Sequence, residues 1–216
     1  MKTSKLILNL FILAVAATFA TGCASTGNDK SASTVKSLAK SSCLIEKGNV
    51  QIDQTLAKLN DLVSNPNADL QKQFAAFDSS VNDLGATAKA VSSKADQIKA
   101  EGADYFANWD KESAKMNNED IRHRSQARKQ EVAANFARIS QKYDETKAAF
   151  QPFMSDLRDI QSYLNTDLTA GGLATIKSSA AKATSDAVPL KESISNLDEL
   201  FKGLKLSLST SSGVVK

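Results

Sequence analysis

The chain has 216 residues, of which 27 are basic and 24 acidic, for a formal net charge of +3. That near balance excludes the strongly basic surface of a general nucleic-acid binder. Its 31 alanines against 3 prolines favour helix, and no run shows the alternation of a half-buried strand.

In chain order, Lys2 and Lys5 precede an apolar run from Leu6 to Ala20. That run is shorter than the roughly 20 residues a membrane span needs, and it has the layout of a secretory signal. It ends in Ala20-Thr21-Gly22-Cys23. Small residues ahead of a cysteine resemble the lipobox of bacterial lipoproteins, although Ala20 stands where leucine is most usual. The resemblance implies a lipoprotein signal peptide over 1–22, cleavage before Cys23 and a diacylglyceryl group on its sulfur. The alternative is an ordinary signal peptide cleaved nearby. Ala24 stands where an aspartate would favour the inner membrane, which by analogy implies the outer membrane, facing the periplasm. Cys43 is the other cysteine, and the single histidine, His123, lies far from it. We expect an inert thiol there, or alternatively a disulfide across a homodimer.

Residues 23–32 are small and polar and read as a flexible tether. A first helix is expected from about Ser33 to Ser64, with Val35, Leu38, Ile45, Ile52, Leu56, Leu59 and Val63 on heptad positions. Ser42 and Asn49 interrupt that seam. Asn65-Pro66-Asn67 should stop the helix and turn the chain back. From Leu70 to Leu164 apolar residues then recur in steps of four and three. One series runs from Leu70 through Phe77, Leu84, Ile98, Trp109 and Glu112 to Met116. Another runs from Val132 through Ile139, Tyr143, Phe153 and Leu157 to Leu164.

The two series lose phase near Met116. Lys111 and Lys115 suit a helix C-terminus there, and Glu119-Asp120 suit an N-terminus behind an Asn118 cap. Either the chain reverses near Asn117, or one helix continues for roughly 145 Å at 1.5 Å per residue with a local irregularity. The reversal is the favoured reading. Pro152 should kink the following helix without ending it. Thr169 can cap a last helix, with Leu173, Ile176, Ala180, Ala183, Ala187, Leu190, Ile194, Leu197, Phe201 and Leu204 on its stripe; Pro189 either kinks it or starts a second helix at its first position. The fold expected is all-α: an elongated antiparallel bundle or coiled coil of three to four long helices without a β-sheet. It forms a single domain over 33–206, with a flexible tail at 207–216.

The segment from about Ala103 to Glu131 is expected to be least covered by its own chain. It carries an aromatic group, Tyr105, Phe106 and Trp109, and a basic group, Arg122, His123, Arg124, Arg128 and Lys129. The aromatics suit either the core or an exposed recognition patch. The basic residues suit either a solvated face balanced by Glu119, Asp120 and Glu131 or a contact with anionic lipid headgroups. Tyr105, Phe106, Trp109, Arg122, Arg124, Arg128 and Lys129 are therefore the candidate partner or lipid contacts, and Cys23 is the lipidation site. No catalytic constellation, metal-ligand set or phosphate loop is evident, so neither an enzyme nor a cofactor is expected. The terminal Lys216 resembles the end of the small coiled-coil lipoprotein joined to peptidoglycan through its last lysine, a match limited to that residue, the lipobox and the helical character.

Together the lipobox, the heptads and Tyr-Leu-Asn-Thr-Asp-Leu-Thr at Tyr163–Thr169 resemble an uncharacterised family of Gram-negative envelope lipoproteins. That resemblance implies a long helical domain and brings no activity or site residues. The function expected is a lipid-anchored periplasmic scaffold, structural or protein-binding, in the cell envelope. The alternatives are a membrane-curving helical dimer and a periplasmic chaperone or cargo binder. The partners expected are a membrane through Cys23, a second copy of the chain or an envelope protein, and no nucleic acid.

Overall fold

The computed structural model describes residues 27–67 and 69–209. The segment read as a signal peptide, Cys23 and residues 210–216 lie outside them. Four helices follow one another: α1 (Gly27–Ser64), α2 (Leu70–Ala114), α3 (Glu119–Thr166) and α4 (Ala170–Leu208).

Each turn is closed by residues suited to the task. α1 stops ahead of Pro66, and Gln73 stitches the turn that follows. Its amide donates to Asp61 at 2.8 Å and to the Asn65 carbonyl at 3.0 Å, and its oxygen accepts from the Asn67 N–H at 3.1 Å. Asp69 then caps α2 by accepting from the Lys72 N–H at 2.9 Å. The chain reverses again between Ala114 and Glu119, where Asn118 accepts from the Ile121 N–H at 3.1 Å. The favoured reading of the phase break is therefore the one the chain adopts. Glu119 and Asp120 occupy the first turn of α3, where the helix dipole favours anions. Thr169 caps α4 by accepting from the Gly172 N–H at 3.2 Å.

Short turns make sequential neighbours antiparallel. α1 packs on α2, α2 on α3, α3 on α4, and α4 closes the ring on α1, while diagonal pairs do not meet among the described residues. The stripe of α3 is buried nearly position for position: Val132, Ile139, Tyr143, Phe153, Leu157, Ile160 and Leu164 all face inward. Phe77, Val81, Leu84 and Ile98 answer from α2, and Leu173, Leu190, Leu197 and Phe201 from α4. Each large apolar side chain so buried contributes about 1.5–3 kcal/mol. α3 and α4 run through Pro152 and Pro189 without ending.

Three details differ from the sequence reading. First, α1 is already helical at Gly27, ahead of Ser33, so the helix takes in part of the expected tether. Its inward row continues as small hydroxyls: Thr34, Ser37, Ser41 and Thr55 are all buried. Ser41 donates back to the Ser37 carbonyl at 3.0 Å, and Thr55 to the Gln51 carbonyl at 2.8 Å. Satisfied within their own helix, Ser41 and Thr55 bury at little cost and let α2 approach closely. Second, α4 continues to a buried Leu208, one turn beyond Leu204 on the same stripe, so residues 207 and 208 belong to the helix and not to a tail. Third, the exposed arm is shorter than the expected 103–131. The Ser207 carbonyl accepts from Arg128, and Ser37 donates to Glu101, so both outer helices reach far up the hairpin.

α2 and α3 have 45 and 48 residues, against 38 and 39 for α1 and α4. The excess lies at one end. Ser37 lies across from Glu101, Gly48 from Thr87 and Thr55 from Ser80, a register that brings Gly27 level with the last turns of α2. The start of α1, the α2–α3 turn and the end of α4 therefore gather at the same end of the bundle.

Candidate functional site

The hairpin tip, from Tyr105 to Glu131, is where the sequence places its candidate contacts. Tyr105, Phe106 and Trp109 occupy successive turns near the end of α2 and are each half-buried. Tyr105 and Trp109 meet edge to face with ring centroids 5.4 Å apart, and Tyr105 and Phe106 lie 5.6 Å apart. Phe136 of α3 closes the group, edge-on to Phe106 at 5.4 Å. It reaches that place because Gly102 carries no side chain: a Cβ there would stand 2.8 Å from the Phe136 ring. The aromatics thus form a small hydrophobic cluster continuous with the core.

Beyond Trp109 the interior of the hairpin is polar. The Trp109 Nε1–H donates to the Ser125 hydroxyl at 2.8 Å, and that hydroxyl lies 3.0 Å from the buried Ser113 hydroxyl. Arg122 reaches across the turn to donate to the Met116 carbonyl at 3.2 Å. The last turns are therefore held by hydrogen bonds rather than by apolar packing. Ser113 faces inward where the heptad count would have put Glu112 or Met116.

The basic residues stand on the outside of this hairpin, each beside an acid. Arg122 meets Glu119 at 3.5 Å and Arg124 meets Asp120 at 2.9 Å. Arg128 meets Glu131 at 2.6 Å and donates to the Ser207 carbonyl at 2.9 Å. Lys129 meets Asp110 of α2 at 2.5 Å. His123 is exposed, and Ile121 at the turn is 54% exposed. Arg128 also lies close enough to Tyr105 to act on its titration. Burial pushes the Tyr105 phenol above its ordinary value, and the Arg128 charge draws it part of the way back.

The seven candidate residues therefore share one hairpin but not one surface. The aromatics turn inward, and the basic side chains run along the outside with their charge largely matched. Sequence reasoning missed Phe136, Gly102, Ser113 and Ser125 as parts of the tip. A glycine inside an apolar stripe was the available signal for the first pair. Cys43, on α1, is exposed and unpaired by any disulfide. Among the described residues no helix is long and apolar enough to cross a membrane, and no three of His, Cys, Asp and Glu gather to hold a metal ion.

Comparison with curated proteins finds no match, and comparison with solved structures finds none either. One family model matches residues 20–202, from Ala20 through all but the last six residues of α4. By that match the chain belongs to the family described as Protein of unknown function (DUF2959).

Proposed function

We propose that the protein is a lipid-anchored helical scaffold of the Gram-negative cell envelope, held at the outer membrane by Cys23 and standing in the periplasm. The observation that carries the reading is the gathering of the start of α1, the α2–α3 turn and the end of α4 at one end of the bundle. Cys23 precedes Gly27 by four residues, a span of at most about 14 Å when fully extended. A lipid on Cys23 therefore holds the hairpin tip close to the headgroups. The opposite end, with the Asn65–Asp69 and Asp167–Thr169 turns, then points away from the bilayer and is free to meet a protein partner. Long helices closed by short turns give such a molecule fixed reach, which suits spacing and docking.

The matched charges of the tip favour this reading over a membrane-curving module. Arg122, Arg124, Arg128 and Lys129 each already have an acidic neighbour, so little net attraction to anionic lipid remains.

Two measurements test the proposal in Gram-negative cells. Grown with a labelled fatty acid, the parent chain should carry label and fractionate with the outer membrane, and the Cys23→Ser chain should do neither. An unlabelled parent in the soluble periplasmic fraction would overturn the anchor. Photo-crosslinkers placed at Asn67 and Leu168 should capture a defined envelope protein. Failure to capture any protein from these turns or from the faces of all four helices would overturn the scaffold.

A further inference from the structure

Midway along the bundle α2 turns small residues toward α3. Gly85, Ala88 and Ser92 stand there, and the two helices leave a cleft of about 310 Å³ between them. Its floor crosses the whole bundle, reaching Ile45 and Ile52 on α1 and Ile194 and Leu197 on α4. Phe150 and Met154 of α3 form one wall, and the Met154 methyl lies over Gly85. Most of the lining is apolar.

The rim differs from the floor. Lys89 of α2 and Lys147 and Arg158 of α3 border the mouth, all three are exposed, and no acidic residue lines the cleft. Several cations elsewhere are paired, among them Lys129 with Asp110, Lys182 with Asp156, Lys191 with Asp53 and Lys202 with Asp198. Lys89, Lys147 and Arg158 make no ion pair with any described residue. The Arg158 guanidinium lies across the Gly85 backbone, 3.5 Å from where a Cβ would stand.

An apolar trough under a rim of unmatched positive charge selects its occupant by both properties. The trough favours a hydrocarbon chain, and the rim favours an anionic head at its end. From Lys147 to Arg158 the mouth extends about 16 Å along α3 at 1.5 Å per residue, a long and narrow shape. The volume lies at the low end of the roughly 300–1,000 Å³ of small-molecule pockets, which admits one chain rather than two. We propose that this cleft binds a single-chain anionic amphiphile of the long-chain fatty-acid class. The chain lies over Ile45, Ile52 and Leu84, the carboxylate meets Lys89 and Arg158 at one end of the mouth, and Lys147 adds positive charge farther along the rim. The site is remote from the tip and does not rest on the scaffold reading.

The test uses the full chain carrying Cys23→Ser, so that no attached lipid competes, with palmitate as the probe. Titration calorimetry should give saturable binding at one palmitate per chain. Hexadecanol, with the same chain and no charge, should bind about tenfold more weakly. Lys89→Gln, Lys147→Gln and Arg158→Gln combined should weaken palmitate by about tenfold while leaving hexadecanol unchanged. Ala88→Phe, which fills the mouth, should abolish both, with helical circular dichroism retained to show that the chain folds. Equal palmitate affinity in the triple variant, or in Ala88→Phe, would overturn the proposal. So would binding of phosphatidylglycerol without palmitate, which would assign the cleft to a two-chain lipid. Failure to bind palmitate in a dimer that shields Lys89 and Lys147 would instead assign it to a second copy of the chain.

Discussion

Gly171 and Gly172 are adjacent in the first turn of α4, yet alanine should act on them in opposite directions. A Cβ on Gly171 would meet only the Thr169 hydroxyl at 3.6 Å, an ordinary contact. Gly171→Ala should therefore stabilise the bundle by about 0.5 kcal/mol, through the smaller backbone entropy lost on folding. A Cβ on Gly172 would stand 2.1 Å from the Asp167 carbonyl oxygen and 2.9 Å from its carboxyl carbon. The nearest atom is backbone, so the whole turn must move rather than one flexible side chain. Overpacking of this kind costs about 1–3 kcal/mol. The movement also pulls the Gly172 N–H from Thr169, a cap worth about 1 kcal/mol. Offset by the same entropic gain, Gly172→Ala should destabilise by about 3 kcal/mol. Urea unfolding followed by circular dichroism measures both variants against the parent. Equal stability of the two, or a Gly172→Ala chain as stable as the parent, would refute the close approach of the α3–α4 turn to α4.

Removing the Ser125 hydroxyl by Ser125→Ala leaves the Trp109 indole and the buried Ser113 hydroxyl without that partner. It should cost about 1–3 kcal/mol in urea unfolding and change the emission of the single tryptophan. Phe153→Ala, at a fully buried ring, should cost about 3–5 kcal/mol, whereas Ile121→Ala at the exposed turn should stay within about 0.5 kcal/mol. Tyr105→Phe should act through pH. The folded phenol titrates above its ordinary value of 10.0 because burial disfavours the phenolate. Its contribution is fully present below pH 10.0 and is lost as pH rises through the higher folded value. The phenylalanine variant should match the parent at neutral pH and resist alkaline unfolding better. An unchanged alkaline profile would show that the ring is not desolvated. Lys129→Ala and Arg124→Ala should each cost less than about 1 kcal/mol, read by the same unfolding assay, since their ion pairs stand at the surface.

Much of the fold was legible because large apolar residues repeat at helical spacing and the turns carry unambiguous chemistry. Pro66, Asp69, Asn118 and Thr169 mark boundaries by local rules, and the two seams of α2 and α3 lose step where the chain reverses. The inner face of α1 was harder to read. Thr34, Ser37, Ser41 and Thr55 count as polar in a hydrophobic pattern, but bonds of Ser41 and Thr55 to their own backbone, and of Ser37 to Glu101, let them bury. The candidate site was legible as a location but not as a surface. Spacing put Arg124 four residues from Asp120 and Arg128 three from Glu131, which foretells ion pairs. It does not reveal that Lys129 crosses to Asp110 or that α4 extends to Arg128, because those contacts join distant parts of the chain. The mid-bundle cleft was hidden for the same reason: Gly85, Ala88 and Phe150 line it together only once four helices close.

The arrangement of the bundle at the membrane is the claim on which the scaffold reading depends. Its most direct measurement attaches an environment-sensitive fluorophore at residue 121, on the α2–α3 turn, or at residue 67, on the opposite end. The lipidated protein is placed in vesicles whose lipids carry a quencher at the headgroup. The account expects strong quenching at 121 and little at 67. Equal quenching at both, or stronger quenching at 67, would contradict it.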